Sequence, residues 1–167
     1  MGLAADALAG AGLMRRMSLG DFARLVERTA QRAPRAERLA LAQAGARLAG
    51  YARSYIGEYQ VGVGGFPSWE PLAAATREQK TRLGYAPPDN PLLRTGEMRL
   101  SLRWTVAGRA AVIGSDDPVA RWQEFGTSGR NPIPPRPFVG PAVYRHGHEE
   151  ARFVFRAALA PLLRGNP

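Results

Sequence analysis

Apolar and polar residues alternate along the chain from Met98 to Val106. Every second residue of this segment is apolar, and the residues between them are Arg, Ser or Thr. A period of two predicts a β-strand with one buried face and one face in water. Gly108 then predicts a turn and Ala110 to Ile113 a second strand, so we expect the pair to form an antiparallel hairpin.

A helical period of three to four residues dominates the first third of the chain. It predicts a short helix over 18–32, in which Ser18 and Asp21 have the spacing of a capping box. Pro34 suits the first turn of a second, longer helix that runs to about Tyr59. The apolar stripe of this second helix consists of Leu41, Gly45, Leu48, Ala52, Tyr55 and Tyr59.

Three more helices are predicted in the rest of the chain. Residues 76–83 form about two turns, with Thr76 and Gln79 at capping-box spacing and Gly84 as the terminator. A short helix follows Asp117, which acts as its N-cap, and ends near 125. The last helix begins near Pro141 and is expected to kink or end at Pro161. One face of it carries Tyr144, His148, Ala151, Phe155 and Leu159, with Phe153 on the opposite side.

These elements predict an α+β fold, in which a small antiparallel sheet is covered by the long second helix and the C-terminal helix. The 167 residues suffice for one domain with a core. We expect an N-terminal arm over 1–17 and a single domain over 18–167. Within the domain, 60–96 is an irregular excursion, of a length that is usually functional or ordered by a partner.

A proline-rich loop over 126–140 contains four prolines between 132 and 137. Prolines fix φ and remove backbone donors, so neither a helix nor an inner strand can run through it. Aromatic residues flank the loop, at 122–125 and at Phe138. We therefore expect a stiff basic loop, anchored at both ends and suited to present Arg130 and Arg136 to a partner.

The segments around this loop resemble a known family. They are an acidic residue and an aromatic before Gly126-Thr127, the run 134–138 (PPRPF), and Pro141-Ala142 at the start of a helix. Upstream, 69–72 (WEPL) and 92–99 (LLRTGEMR) follow in the same order, with Thr76 and Lys80 between them. This ordered set resembles the tail-component family of long-tailed bacteriophages, the tail-completion or head-tail joining proteins of the neck.

The resemblance implies a structural protein of the virion that forms a homo-oligomeric ring between the head connector and the tail tube. Its implied partners are copies of itself, the connector or adaptor, and tail-tube or tail-terminator proteins, with DNA passing through the lumen. It implies assembly in the host cytoplasm and a final place at the head-tail interface. We predict that Arg130 and Arg136 contact a neighbouring subunit or acidic partner above the anchor Phe138, and that Trp69 and Phe153 belong to the interface.

The charge balance adds a second hypothesis. The net charge is +9, the isoelectric point is near 11.1, and Lys80 is the single lysine, so the excess is carried by arginine. Such a balance is typical of proteins with a polyanionic partner, but an arginine-rich genome composition explains it equally well. The arginines of the second helix, Arg35, Arg38, Arg47 and Arg53, are either a solvated face or a nucleic-acid contact. The alternative function is therefore a nucleic-acid-binding protein without sequence specificity.

Candidates for chemistry are few. Asp116, Asp117 and Glu124 form an acidic cluster of a kind that can hold a divalent cation, but a turn and a helix cap explain the two aspartates without a metal. His146 and His148 are two residues apart, which places them on different faces of a helix. The chain has no cysteine and no serine in a nucleophile-elbow context. We predict that the protein is not an enzyme and binds no metal or cofactor.

Overall fold

A computed structural model of the chain describes residues 18–163, so the predicted N-terminal arm over 1–17 lies outside the described residues. The fold is α+β, as predicted. Its elements in chain order are α1 (Leu19–Tyr55), α2 (Ala74–Arg82), α3 (Glu97–Ser101), β1 (Arg103–Ala107), β2 (Ala110–Gly114), α4 (Pro118–Phe125) and α5 (Val139–Leu163). Between residues 18 and 163, no helix is both long and apolar enough to cross a membrane.

Helix α1 is continuous over 37 residues, and the prediction of two helices separated near Pro34 is wrong. A proline in a helix interior removes one hydrogen bond, crowds the carbonyl of the residue four positions earlier and costs about 3 kcal/mol. Here that carbonyl belongs to Ala30, in an exposed part of the helix where water can satisfy it. Strong helix formers on both sides then carry the helix through the proline.

The two ends of α1 are set by local signals. Ser18 is the N-cap, and its hydroxyl accepts a hydrogen bond from the Asp21 backbone N–H at 3.1 Å. The helix ends at Tyr55, and Gly57 follows with a φ of 109°. Tyr59 therefore lies outside the helix, where its hydroxyl donates to Asp89 Oδ1 at 3.0 Å. The other predicted stripe residues, Leu41, Gly45, Leu48, Ala52 and Tyr55, are buried as expected.

The hairpin begins five residues later than the alternation predicted. Met98 and Leu102 are both buried, but Leu100 between them is exposed, because 97–101 forms the short helix α3. Apolar residues at positions 98 and 102 fit a helix as well as a strand, since i and i+4 share a helix face. Gly96, with a φ of 86°, precedes α3 and turns the chain into it.

Strands β1 and β2 form a two-stranded antiparallel sheet joined by a two-residue turn at Gly108, whose φ is 57°. The register pairs Trp104 with Ile113 and Val106 with Ala111. This face of the hairpin rests on α1, where a Cβ on Gly45 would lie 3.4 Å from both Trp104 and Ala111. The missing side chain of Gly45 lets the hairpin approach the helix closely.

Helix α5 also packs on α1, beside the hairpin. It begins at Val139, two residues before the predicted start, and continues past Pro161 to Leu163. Its predicted apolar face is not its buried one, because Tyr144, His148 and Phe155 are exposed. The buried contacts come instead from Ala142 and from Glu150, which lies against α1.

The main core joins the end of α1 to the excursion, to α3 and to the start of α5. The excursion is held by the chain itself: Gly57 N–H donates to Pro91 O at 2.9 Å, and Trp69 N–H donates to Gln60 O at 2.9 Å. Helix α2 lies within it and starts after Ala73 without a side-chain cap, so the predicted Thr76 cap is wrong. The buried core residues are Ala52, Tyr55, Ile56, Trp69, Met98, Leu102, Ala120, Phe138 and Ala142.

Candidate interaction surfaces

The proline-rich loop is anchored by a carboxylate that the sequence analysis assigned to an acidic cluster. Glu124 accepts the backbone N–H groups of Phe138 at 2.8 Å, Val139 at 3.0 Å and Gly140 at 2.8 Å. The next residue, Pro141, has no N–H. Glu124 thus satisfies the free donors at the start of α5, where a negative charge also suits the helix dipole. At the other end of the loop, the predicted aromatic anchors Trp122 and Phe125 are exposed.

The loop also closes on itself. Thr127 N–H donates to Ile133 O at 3.0 Å, and Ile133 N–H donates to Thr127 Oγ1 at 3.0 Å. Gly126 has a φ of 74°, and a Cβ there would lie 2.9 Å from Ile133 O. These bonds fix the base of a short projection whose exposed tip carries Arg130. The loop therefore presents Arg130 at a defined position on the surface.

Arg136 faces inward, contrary to its predicted role as a surface contact. It is only 6% exposed, and its Nη2 donates to Glu70 O at 3.0 Å. Burial lowers the pKa of this guanidinium from its ordinary value. Arg136 is thus an internal brace that joins the loop to the excursion.

Trp69 and Phe138 are also internal. Trp69 is 5% exposed, and its indole Nε1–H donates to Pro137 O at 3.0 Å. Phe138 is fully buried. Neither side chain lies on the surface of the folded chain. Segments 69–72 and 134–138, which both belong to the phage resemblance, form one hydrogen-bonded unit.

Phe153 is half-buried beneath an arginine of α1. The Arg47 guanidinium lies 4.2 Å from the centre of the Phe153 ring. The same guanidinium donates to both carboxylate oxygens of Glu150, from Nε at 2.8 and 2.9 Å. These hydrogen bonds raise the pKa of Arg47. Phe153, the predicted subunit contact, is thus covered within the chain by Arg47, which joins α1 to α5 through Glu150.

A groove of about 350 Å³ separates the hairpin from α5. Its floor is the apolar side of α1 at Leu41, Ala44 and Leu48, and Ala111 of β2 lines one wall. Phe155 of α5 lies on the other wall and is exposed. In the described part of the chain the sheet has only two strands, so the outer edge of each strand keeps unpaired backbone groups.

A larger groove of about 780 Å³ lies between the excursion and the proline-rich loop. Lys80 lines it and is buried, with its Nζ donating to Asn90 O at 2.6 Å. Burial, followed by the charge of Arg94, lowers the pKa of Lys80. The side-chain oxygen of Gln123 is buried in the same region without a hydrogen-bond partner. Three acidic and three basic residues line this groove, so its charge is balanced.

The structure shows where the aspartate and histidines that were candidates for metal binding or catalysis lie in the fold. Asp117 caps α4, accepting the Val119 N–H at 2.8 Å, as predicted. No group of three metal-ligating side chains occurs in residues 18–163. His146 stacks on Tyr51 with the ring centres 3.8 Å apart, whereas His148 points to solvent.

Neither protein-family models, nor curated proteins, nor solved structures gave a match. The structural roles of Arg47 and Glu124 were not predicted from the sequence, and Glu150 was not among the candidates. Arg47 and Glu150 join segments 103 residues apart, whereas Glu124 joins α4 to the start of α5. The one sequence signal for Glu124 was its place directly before a glycine- and proline-rich loop.

Proposed function

We propose that this chain is a structural virion protein of a tailed phage or phage-like particle. It forms a ring in the neck, completes the tail and joins it to the head connector, and it carries out no catalysis. The observation behind this proposal is the ordered set of motifs from Trp69 to Ala142. Further support comes from the direct hydrogen bonds between the first of these motifs, 69–72, and the motif 134–138: Trp69 to Pro137 and Arg136 to Glu70.

Two surfaces suit this role. The anchored loop offers Arg130 to an acidic partner or neighbouring subunit. The open edges of β1 and β2 offer backbone donors and acceptors to a strand of another copy. The groove beside β2 can accommodate apolar side chains of that strand. A head-to-tail contact of this kind closes into a ring when its rotation allows.

The test is electron microscopy of lysates from a phage with an early stop codon in this gene. We expect full heads and finished tails lying separate. An Arg130→Ala variant should fold normally, shown by an unchanged melting temperature, but give at least about tenfold fewer joined particles if the contact is worth about 1.4 kcal/mol. The matched control is Arg82→Ala, which removes another exposed arginine from α2.

Joined, infectious particles from the stop-codon phage would refute the neck role. Normal particle yield from Arg130→Ala would refute the contact at Arg130 but leave the neck role in place. Native mass spectrometry of the purified chain adds a separate readout, since a ring-forming protein should give a closed oligomer or assemble into one when its partners are added.

A further inference from the structure

The continuity of α1 through Pro34 aligns arginines that the sequence analysis had assigned to two separate helices. Arg24, Arg28 and Arg32 precede the proline, and Arg35 and Arg38 follow it. In an α-helix at 3.6 residues per turn, these five positions fall within an arc of about 120°. All five residues are exposed. They therefore form one arginine face on the exposed half of α1.

This arginine face is about 21 Å long, from the helical rise between Arg24 and Arg38. Of its five members, Arg24 has a carboxylate partner, Asp21 Oδ1 at 2.8 Å. The other four are in no ion pair within the described residues. Duplex DNA carries about 12 phosphate charges over the same length, so the spacing of positive charge suits a phosphate backbone.

The composition of this face favours nucleic acid over a protein partner. Gln31 lies among the arginines, and the same arc holds Asp21 at its N-terminal end and one large apolar side chain, Leu39, at its C-terminal end. Protein interfaces usually bury a central apolar and aromatic cluster, which this face does not offer. Phosphate backbones are bound by charge and hydrogen bonding alone.

The geometry also disfavours a lipid surface. The exposed apolar residues of this half, Leu19, Phe22 and Val26, lie on the opposite side of the helix, about 160° from the centre of the arginine face. A helix that lies in a lipid interface combines a basic face with an apolar face on its other side. Here the large exposed apolar residues of that other side end at Val26, whereas the arginines continue to Arg38, so most of the arginine face has no apolar face behind it to insert.

We propose that the arginine face of α1 binds the phosphate backbone of duplex DNA without reading its sequence. The exposed half of the helix lies along the backbone, and each guanidinium can donate two hydrogen bonds to phosphate oxygens. This inference does not rest on the neck role, because it concerns the chain whether free or assembled.

The test is fluorescence anisotropy of a labelled duplex of about 30 base pairs, titrated with the full chain at several salt concentrations, using two unrelated sequences. We expect equal affinities for both sequences. The slope of log K against log salt should fall by about 0.9 for each phosphate contact that is removed. In the test variant, glutamine replaces the five arginines Arg24, Arg28, Arg32, Arg35 and Arg38, which keeps helix propensity.

The matched control removes the same charge elsewhere. It places glutamine at five other exposed arginines, Arg82, Arg99, Arg121, Arg152 and Arg156, so both variants lose five positive charges from a net charge of +9. We expect the test variant to lose at least about 100-fold in affinity and most of the salt slope. The control should lose less than about tenfold, as expected for long-range attraction alone.

Three outcomes would overturn the proposal. The first is wild-type protein that shows no salt-dependent DNA binding. The second is an equal loss in both variants, which would assign the effect to net charge. The third is binding to phosphatidylserine vesicles, but not to DNA, that depends on the arginine face. Circular dichroism of both variants checks that α1 is retained.

Discussion

The two halves of α1 share one helix but differ in what holds them. The half before Ala40 is largely exposed and carries five arginines on one face. The half from Ala40 to Tyr55 is rich in alanine and glycine and is buried under the hairpin and α5. Burial of an apolar face provides most of the stability of helices in proteins, whereas an isolated segment depends on weak local terms.

The exposed half has such local terms. Ser18 caps its first turn, and Asp21 lies three residues before Arg24. The hydrogen bond from the Ser18 hydroxyl, then the bond from Arg24, lowers the pKa of Asp21. The buried half instead relies on close approach at Gly45 and on the Arg47–Glu150 joint. The same secondary structure is thus maintained by sequence-local signals in one half and by tertiary contacts in the other.

The largest expected difference between the halves comes from moving the proline. Ala46→Pro in the buried half should cost about 3 kcal/mol or more, because it removes a hydrogen bond and crowds the carbonyl of Ala42. Pro34→Ala should instead stabilise the exposed half locally by about 1–3 kcal/mol. Urea unfolding measures the first change, and hydrogen exchange of the amides around residue 34 measures the second.

The expected difference between the two halves would be contradicted if Pro34→Ala lowered the free energy of unfolding of the whole chain. Such a result would mean that Pro34 is required by a tertiary contact. Unchanged exchange around residue 34 in the presence of a stable fold would mean that the proline imposes no cost on the helix.

A matched pair of leucines gives the next largest effect. Leu48 is 7% exposed and Leu39 is 62% exposed, and both lie on α1. Leu48→Ala should lower the free energy of unfolding by about 2–4 kcal/mol, because it removes buried apolar surface and leaves a cavity. Leu39→Ala should change it by less than about 0.5 kcal/mol. Equal effects in urea unfolding would show that the two halves are not distinct.

The smallest expected effect compares ion pairs. Glu150→Gln should cost about 1–3 kcal/mol, because it weakens the bidentate pair and leaves the half-exposed Arg47 without its charge partner. Arg24→Gln, which removes the exposed pair with Asp21, should change stability much less. Unfolding at low and high salt checks this, since salt screens the exposed pair more strongly. A Glu150→Gln variant as stable as wild type would show that the ion pair between Arg47 and Glu150 does not stabilise the fold.

Elements with strong local signals were predicted well. The α+β class, the turn at Gly108, the cap at Asp117 and the stripe from Leu41 to Tyr55 all follow from residue type and spacing. The start of β1 was not predictable, because Met98 and Leu102 fit either period and only packing distinguishes them. The buried face of α5 was missed for a related reason: it is formed by Glu150 and Ala142, not by its large apolar side chains.

The candidate interface could be predicted only in part. The loop and its stiffness follow from four prolines and two glycines, and Arg130 stands at its tip as expected. The inward positions of Trp69 and Arg136 did not follow, since both groups satisfy carbonyls about 66 residues away or more along the chain. A local sequence pattern cannot predict a hydrogen-bond acceptor that lies so far away along the chain.

The sequence by itself determined the helix caps, the turns, the stiff loop and the positive charge of this protein, because these depend on residues within a few positions of each other. Only the tertiary structure decided which polar side chains are buried and which face of α5 meets α1. The physical reason is that burial depends on which distant surfaces meet, and those contacts outweigh local preferences of about 1 kcal/mol per residue.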